Sequence, residues 1–142
     1  MDRLKVLVVD DESRMRKLVR DFLVKSNFDV LQAGDGEEAL DIFYKEKDIA
    51  LIILDVMMPK MDGIQAMIKI RERSNVPVIL LTAKGEDSDK VLGLTVGADD
   101  YITKPFNPIE VSARVKSQLR RYMQLGGGTV RPDVIRVGGI EL

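Results

Sequence analysis

The sequence predicts an α/β domain in which a five-stranded parallel sheet is wound with helices on both faces. Three observations carry this. Five short runs rich in Val, Ile and Leu, at residues 4–9, 29–33, 50–54, 78–81 and 101–102, alternate with segments whose apolar residues recur at helical spacing. The runs lack the in–out alternation of half-exposed strands, which is the pattern of strands covered on both sides. Polar or charged residues stand where four of the runs stop: Asp10 and Asp11, Asp55, Thr82, and, just past the last run, Lys104. Parallel strands need right-handed helical crossovers, so a doubly wound sheet is expected.

Each element has its own local support. After the first run, Ser13 is expected to cap a helix whose apolar stripe is Met15, Leu18, Val19, Phe22 and Leu23. Further helices are expected over residues 36–44, 63–71, 87–96 and 108–123. Pro77 stands immediately before the fourth run, where a missing N–H costs little. Pro108 suits the first turn of the last helix.

After Tyr122 the composition changes. Gly126-Gly127-Gly128 has no side chains to pack and much backbone entropy to lose, the signature of a linker. Val134-Ile135-Arg136-Val137, Gly138-Gly139 and Ile140-Glu141-Leu142 then read as a hairpin just begun. The expected organisation is one domain over 1–123, a linker over 124–133 and the start of a second domain over 134–142. A natural disordered tail is the plainer alternative.

Composition narrows the chemistry. A chain of 142 residues with 45% hydrophobic and 32% charged content and a net charge of −1 is an ordinary globular protein. No global charge points to nucleic acid or a membrane. Cysteine and histidine are both absent. Disulfides, thiolate nucleophiles and imidazole bases are therefore excluded, and any metal must be held by oxygen, which favours magnesium, calcium or manganese over zinc. No apolar stretch approaches a membrane span, and Met1-Asp2-Arg3-Leu4-Lys5 lacks a signal-peptide core, so the cytoplasm is the default expectation.

Open α/β sheets bind ligands beyond the carboxyl ends of their strands, where the strand order reverses. Three carboxylates, a hydroxyl and an ammonium gathered there suit a divalent cation and a phosphoryl group, with Asp55 as the residue to carry the phosphoryl. Singly, each has a dull alternative. An Asp-Asp pair is common turn chemistry, Thr82 can simply finish a strand, and Lys104-Pro105 can be a solvated turn. Asp55 is harder to dismiss, because a carboxylate at the end of Leu51-Ile52-Ile53-Leu54 is costly without partners.

Taken together, Val8-Val9-Asp10-Asp11-Glu12, Leu54-Asp55-Val56-Met57-Met58-Pro59 with Asp62-Gly63, Leu81-Thr82-Ala83, Gly97-Ala98-Asp99-Asp100-Tyr101 and Lys104-Pro105-Phe106 resemble the receiver domain of bacterial two-component response regulators over about residues 4–123. The resemblance implies a flavodoxin/CheY-like fold with strand order 2-1-3-4-5. The tail and Asp99-Asp100-Tyr101 are similar to the OmpR/PhoB-like class, whose second domain is a DNA-binding winged helix.

The resemblance also implies roles. Asp55 matches the phosphoacceptor, supplied by a histidine of a sensor kinase. Asp10, Asp11, Asp55 and the backbone carbonyl of Met57 match the ligands of Mg2+, with Mn2+ as a substitute, and Glu12 falls outside that ring. Lys104 matches the ammonium that pairs with a phosphoryl oxygen, and Lys104-Pro105 is expected to be cis. Thr82 and Tyr101 match switch residues. Lys90, Leu94, Asp99, Asp100, Glu110, Arg114 and Arg121 match a surface that forms a two-fold dimer on activation, with Lys90 meeting Glu110 and Asp100 meeting Arg114 across the axis. Met57 and Lys84 occupy variable positions that flank the approach of hydrolytic water. The implied protein is a signalling switch rather than an enzyme, with DNA contacted through its second domain and no membrane partner.

Three rivals are weighed against this. A haloacid dehalogenase-type hydrolase carries a second Asp two residues past its nucleophile, where this chain has Met57. A flavodoxin cradles phosphate after its first strand, where Asp10-Asp11-Glu12 repels it. A stand-alone receiver acting by docking differs only in the chain beyond residue 142.

Overall fold

A computed structural model describes residues 3–83 and 97–124. The expected helix over 87–96 and the expected linker and second domain beyond residue 124 lie outside the described residues. Five strands, β1 (Lys5–Val9), β2 (Asp29–Ala33), β3 (Ile49–Asp55), β4 (Val78–Ala83) and β5 (Asp100–Lys104), form one sheet in the order β2-β1-β3-β4-β5. All four pairings are parallel. Helices α1 (Ser13–Lys25), α2 (Gly36–Lys45) and α3 (Gly63–Arg71) connect the first four strands, and a last helix, Pro108–Gln124, follows β5.

Strand parity sorts the core into two layers. Leu7, Val9, Ile52, Leu54, Val78 and Leu80 face α2 and α3, where they bury Ala39, Leu40, Ala66, Met67 and Ile70. Val6, Val8, Leu51, Ile53, Ile79, Leu81 and Ile102 face the other way, against Val19 and Leu23 of α1 and Val111, Val115 and Leu119 of the last helix. Successive side chains on a strand point to opposite faces, so an unbroken apolar run is the requirement of a sheet covered twice.

The strands run further than their apolar stretches. Asp55 pairs with Leu81, Thr82 with Thr103, and Ala83 with Lys104, which makes Asp55, Thr82 and Lys104 members of the ladder rather than loop residues beyond it. Backbone hydrogen bonds are blind to side-chain polarity, and hydrophobic pattern alone stops too early. The α1 cap also differs from expectation. Glu12 is the N-cap residue, without a side-chain cap, and Ser13 is the first helical residue. The Asp10 carboxylate takes the Glu12 N–H at 2.9 Å and closes this turn instead. The stripe of α1 is narrower as well, since Leu18 is exposed.

The entries to α2 and α3 brace the segment after β3. Asp35 accepts the Glu38 N–H at 2.8 Å, and Asp62 and Gln65 form a reciprocal capping box that starts α3. Gly63 is pressed onto β3: a Cβ there would lie 2.3 Å from the Asp55 carbonyl oxygen. Gly34 has only ordinary contacts at the same kind of test, the nearest 3.5 Å away. Gly63→Ala is therefore expected to cost about 3 kcal/mol of stability, while Gly34→Ala stays within about 0.5 kcal/mol of wild type. Urea unfolding of both variants checks the pair, and equal midpoints would contradict the close approach of α3 to Asp55.

Candidate functional site

The strand order reverses at β1, whose neighbours β2 and β3 lead away in opposite directions, and the crevice at the carboxyl ends of β1 and β3 is the ligand position for such sheets. Asp10, directly after β1, is fully buried. Its Oδ1 accepts the Glu12 N–H, its Oδ2 accepts the Lys104 ammonium at 3.0 Å, and its carbonyl accepts Arg16 Nη1 at 2.6 Å. Asp55 ends β3 with 4% of its surface exposed. Its Oδ1 takes the Met57 N–H at 3.3 Å and its Oδ2 lies 3.2 Å from Lys104 Nζ. Lys104 thus bridges two buried carboxylates from the end of β5, next to a cis Lys104-Pro105 bond that agrees with expectation.

Asp11 is exposed at the mouth, yet one oxygen from each of Asp10, Asp11 and Asp55 falls within 4.8 Å of the others. Three carboxylates against one ammonium leave the crevice with excess negative charge. Burial, and then the charge of Asp10, push the Asp55 carboxyl up to about 6, while Lys104 and the Met57 N–H pull it back. Burial also opposes the charge on Lys104, but the hydrogen bond to Asp10 and the charges of Asp55 and Asp10 outweigh it and hold the ammonium above its ordinary value. An all-oxygen cluster with surplus negative charge and no imidazole or thiolate fits a hard divalent cation.

Thr82 completes the crevice from β4. It is 1% exposed, and its Oγ1 is the buried side-chain polar atom without a hydrogen-bond partner among the described residues. Such a hydroxyl costs about 1–3 kcal/mol, which an incoming acceptor oxygen would relieve. Asp10, Asp11, Asp55, Thr82 and Lys104 are therefore brought to the ends of neighbouring strands. Met57 contributes its backbone N–H and leaves its side chain 65% exposed. Tyr101 is half-buried on β5, packed against the core layer of α2 and α3.

The other expected residues divide differently. Arg114 pairs within its own chain, with Asp100 at 2.7 Å and Glu110 at 3.3 Å. Asp99 is bound by Arg71 at 2.9 Å. Arg121 is exposed on the last helix, and Lys84, Lys90 and Leu94 lie outside the described residues. Arg16 and Arg71 were not singled out from sequence, and Gly63 only as part of a motif. Arg16 and Arg71 act through backbone carbonyls brought near by folding, and no local pattern marks such contacts.

A family model described as "Response regulator receiver domain" matches residues 6–116. The chain belongs to this family. Regulatory protein VanRc of Enterococcus gallinarum is 52% identical to this receiver over 130 residues, covering 92% of the chain and 56% of the relative. Transcriptional regulatory protein SrrA of Staphylococcus aureus is 49% identical over 141 residues, covering 97% and 58%. The chain thus spans little more than half the length of these relatives. Similarity to such transcriptional regulators agrees with the OmpR/PhoB-like class. A response regulator structure from Chloroflexus aurantiacus superposes with a TM-score of 0.80 at 35% identity, covering 84% of this receiver and all of that chain.

The raised pKa of Asp55 has a stability consequence with a definite sign. The unfolded carboxyl releases its proton near 4 and the folded one near 6, so ionisation across that window costs the folded state stability, and the loss is complete above it. Two units correspond to an upper bound of about 3 kcal/mol, reduced to about 1–2 kcal/mol by solvent at the crevice mouth. With a chelator present, Asp55→Asn should melt several degrees above wild type at pH 7.5, and the gain should vanish by pH 4. Calorimetry across that range checks this, and a variant less stable than wild type at pH 7.5 would contradict the electrostatic account.

Proposed function

We propose that this receiver accepts a phosphoryl group on Asp55 from a phosphohistidine of a sensor kinase, and that the modified site controls self-association and transcriptional output. The observation that carries the reading is the Lys104 ammonium bridging Asp10 and Asp55 beside the unpartnered Thr82 hydroxyl. Asp10, Asp11, Asp55 and the Met57 carbonyl are the residues that would hold Mg2+ or Mn2+, which when bound supplies the positive charge that lets one anion approach another. Every other part belongs to the chain or its donor. The Asp55 carboxylate attacks phosphorus in line, the P–N bond to the donor imidazole breaks, and a proton returns to the imidazole as it leaves. Lys104 pairs with a phosphoryl oxygen, exchanging a carboxylate partner for it. Thr82 then donates its idle hydroxyl to another.

That last bond is the switch in this reading. Thr82 moves toward the phosphoryl group, and Tyr101, on the neighbouring strand, takes an inward rotamer in the space released. The surface formed by residues 87–96, β5 and the last helix changes its preferred partner as a result. Asp100 and Arg114, paired within one chain here, meet each other's counterparts across a two-fold axis in the dimer, and Lys90 meets Glu110. The whole protein is read as a cytoplasmic transcriptional regulator that contacts DNA through a further domain, on the strength of its similarity to regulators of that description.

Three measurements test the reading. Incubation with Mg2+ and acetyl phosphate should add one phosphoryl mass to wild type and none to Asp55→Asn, and Asp11→Ala should weaken Mg2+ binding about tenfold or more by loss of a charged ligand. Undiminished uptake by Asp55→Asn would overturn the acceptor assignment. In sedimentation, a phosphoryl mimic such as beryllofluoride should favour wild-type dimers. Arg114→Glu should weaken them while leaving Asp55 phosphorylation intact, and adding Asp100→Arg should restore part of the loss. Dimers of Arg114→Glu as tight as wild type would assign this face to a different partner.

A further inference from the structure

Arg16 is half-buried on α1 beside a crevice that gathers three carboxylates, yet it forms no ion pair with any of them among the described residues. Its donors go to two neutral oxygens instead. Nη1 donates to the Asp10 carbonyl at 2.6 Å, and Nε to the side-chain oxygen of Gln32, on β2, at 3.3 Å. The Asp10 N–H in turn donates to the Ala33 carbonyl at 3.2 Å, so the backbone of Asp10 is tied on one side to β2 and on the other to α1. A planar fork can hold two acceptors at a fixed separation, which an ammonium, as a point charge, cannot.

The peptide that Arg16 holds is the one joining Asp10 to Asp11. A peptide unit is planar, so with the Asp10 N–H already bound, fixing the carbonyl oxygen also places the nitrogen and Cα of Asp11. Of the three clustered carboxylates, Asp11 depends most on this. The Asp10 carboxylate is held by the Glu12 N–H and Lys104, and that of Asp55 by the Met57 N–H and Lys104. The Asp11 carboxylate is exposed and has no hydrogen-bond or ion-pair partner among the described residues. Its approach to within 4.8 Å of the other two is therefore set by its backbone.

We propose that Arg16 is a positioning residue for the cation site, which holds the Asp10-Asp11 peptide so that the Asp11 carboxylate stands where it can join Asp10 and Asp55 on a divalent cation. The inference rests on the metal reading above and extends it to a residue that offers the cation no ligand atom. Groups that orient ligands are worth about 10–100-fold in metal affinity. The loss should fall hardest on Mg2+, which demands near-octahedral geometry, and less on Ca2+, whose oxygen shell is flexible. A purely electrostatic role makes the opposite prediction, because a positive charge beside the crevice repels the cation and its removal would tighten binding.

The test is calorimetric titration of the whole chain with Mg2+ and with Ca2+, for wild type, Arg16→Gln, Arg16→Lys, Gln32→Ala, Asp11→Ala and the Arg16→Gln/Asp11→Ala double variant. Arg16→Gln is expected to weaken Mg2+ binding about tenfold and Ca2+ binding by less, so that the ratio of the two affinities falls. Arg16→Lys keeps the charge and one donor and should recover part of the loss. The double variant should bind Mg2+ no more weakly than Asp11→Ala alone, because Arg16 acts through Asp11. Gln32→Ala removes only the Nε anchor, from an exposed position, and should show a smaller Mg2+ loss of the same kind even where Arg16→Gln melts below the assay temperature. Unchanged or tighter Mg2+ binding on loss of Arg16, equal losses for both cations, or additive losses in the double variant would overturn the inference while leaving the metal reading standing. A wild type that binds no Mg2+, or an Asp11→Ala variant that binds it as well as wild type, would overturn both.

Discussion

Two carboxylates, Asp10 and Asp55, are buried side by side at the point where the sheet reverses its winding, and Lys104 spans them with contacts of 3.0 and 3.2 Å. Burial and the neighbouring charge of Asp10 push the Asp55 carboxyl up to about 6, and the ammonium between them pulls it back. The strain is electrostatic rather than steric. It leaves the site short of positive charge, and that deficit is what a hard cation can use. The surrounding architecture holds the three groups in place. Asp10 is fixed by the Glu12 N–H and by Arg16, and Asp55 by the close approach of Gly63 and the Met57 N–H. Lys104 is fixed by its ladder position opposite Ala83.

Two ends of the same sheet carry different tasks. At the carboxyl ends the strands gather ionisable groups with unsatisfied capacity, including a buried hydroxyl that bonds to nothing among the described residues. At the amino ends of β4 and β5, Arg71 satisfies carbonyls and a carboxylate so fully that the backbone there is locked. A switch needs this division. The responsive end must gain from a new ligand, and the opposite end must resist deformation.

The charged residues of the last helix and β5 show what pattern alone leaves open about partners. Glu110, Arg114 and Arg121 share one side of a helix, which the sequence makes plain, and Asp99 and Asp100 stand nearby. In the monomer Arg114 already has Asp100 and Glu110, and Asp99 already has Arg71. Ion pairs of this kind are half-exposed and individually weak, so exchanging an internal partner for one on another copy is nearly neutral in energy. Under the proposed function, a near-neutral exchange is one that a modest event at Asp55 can tip.

Much of the fold was legible in the residues. Continuous apolar runs required a sheet covered on both faces, Pro108 marked the first turn of the last helix, and Asp55 at the end of Leu51-Ile52-Ile53-Leu54 was too costly a carboxylate to be accidental. These are local facts, set by side-chain polarity and spacing. The limits lay where backbone or distance decides. Strand ends were placed short at Asp55, Thr82 and Lys104 because ladder hydrogen bonds ignore polarity, and Ser13 became the first helical residue rather than the cap because the buried Asp10 carboxylate already held the turn through the Glu12 N–H. Lys104 lies 94 residues from Asp10, and Arg71 lies 28 from Asp99. Sequence by itself determined which groups exist and at which strand end or helix face each would stand; only tertiary structure decided which of them touch, because contact across a sheet depends on strand order and register, and neither is written in any single segment.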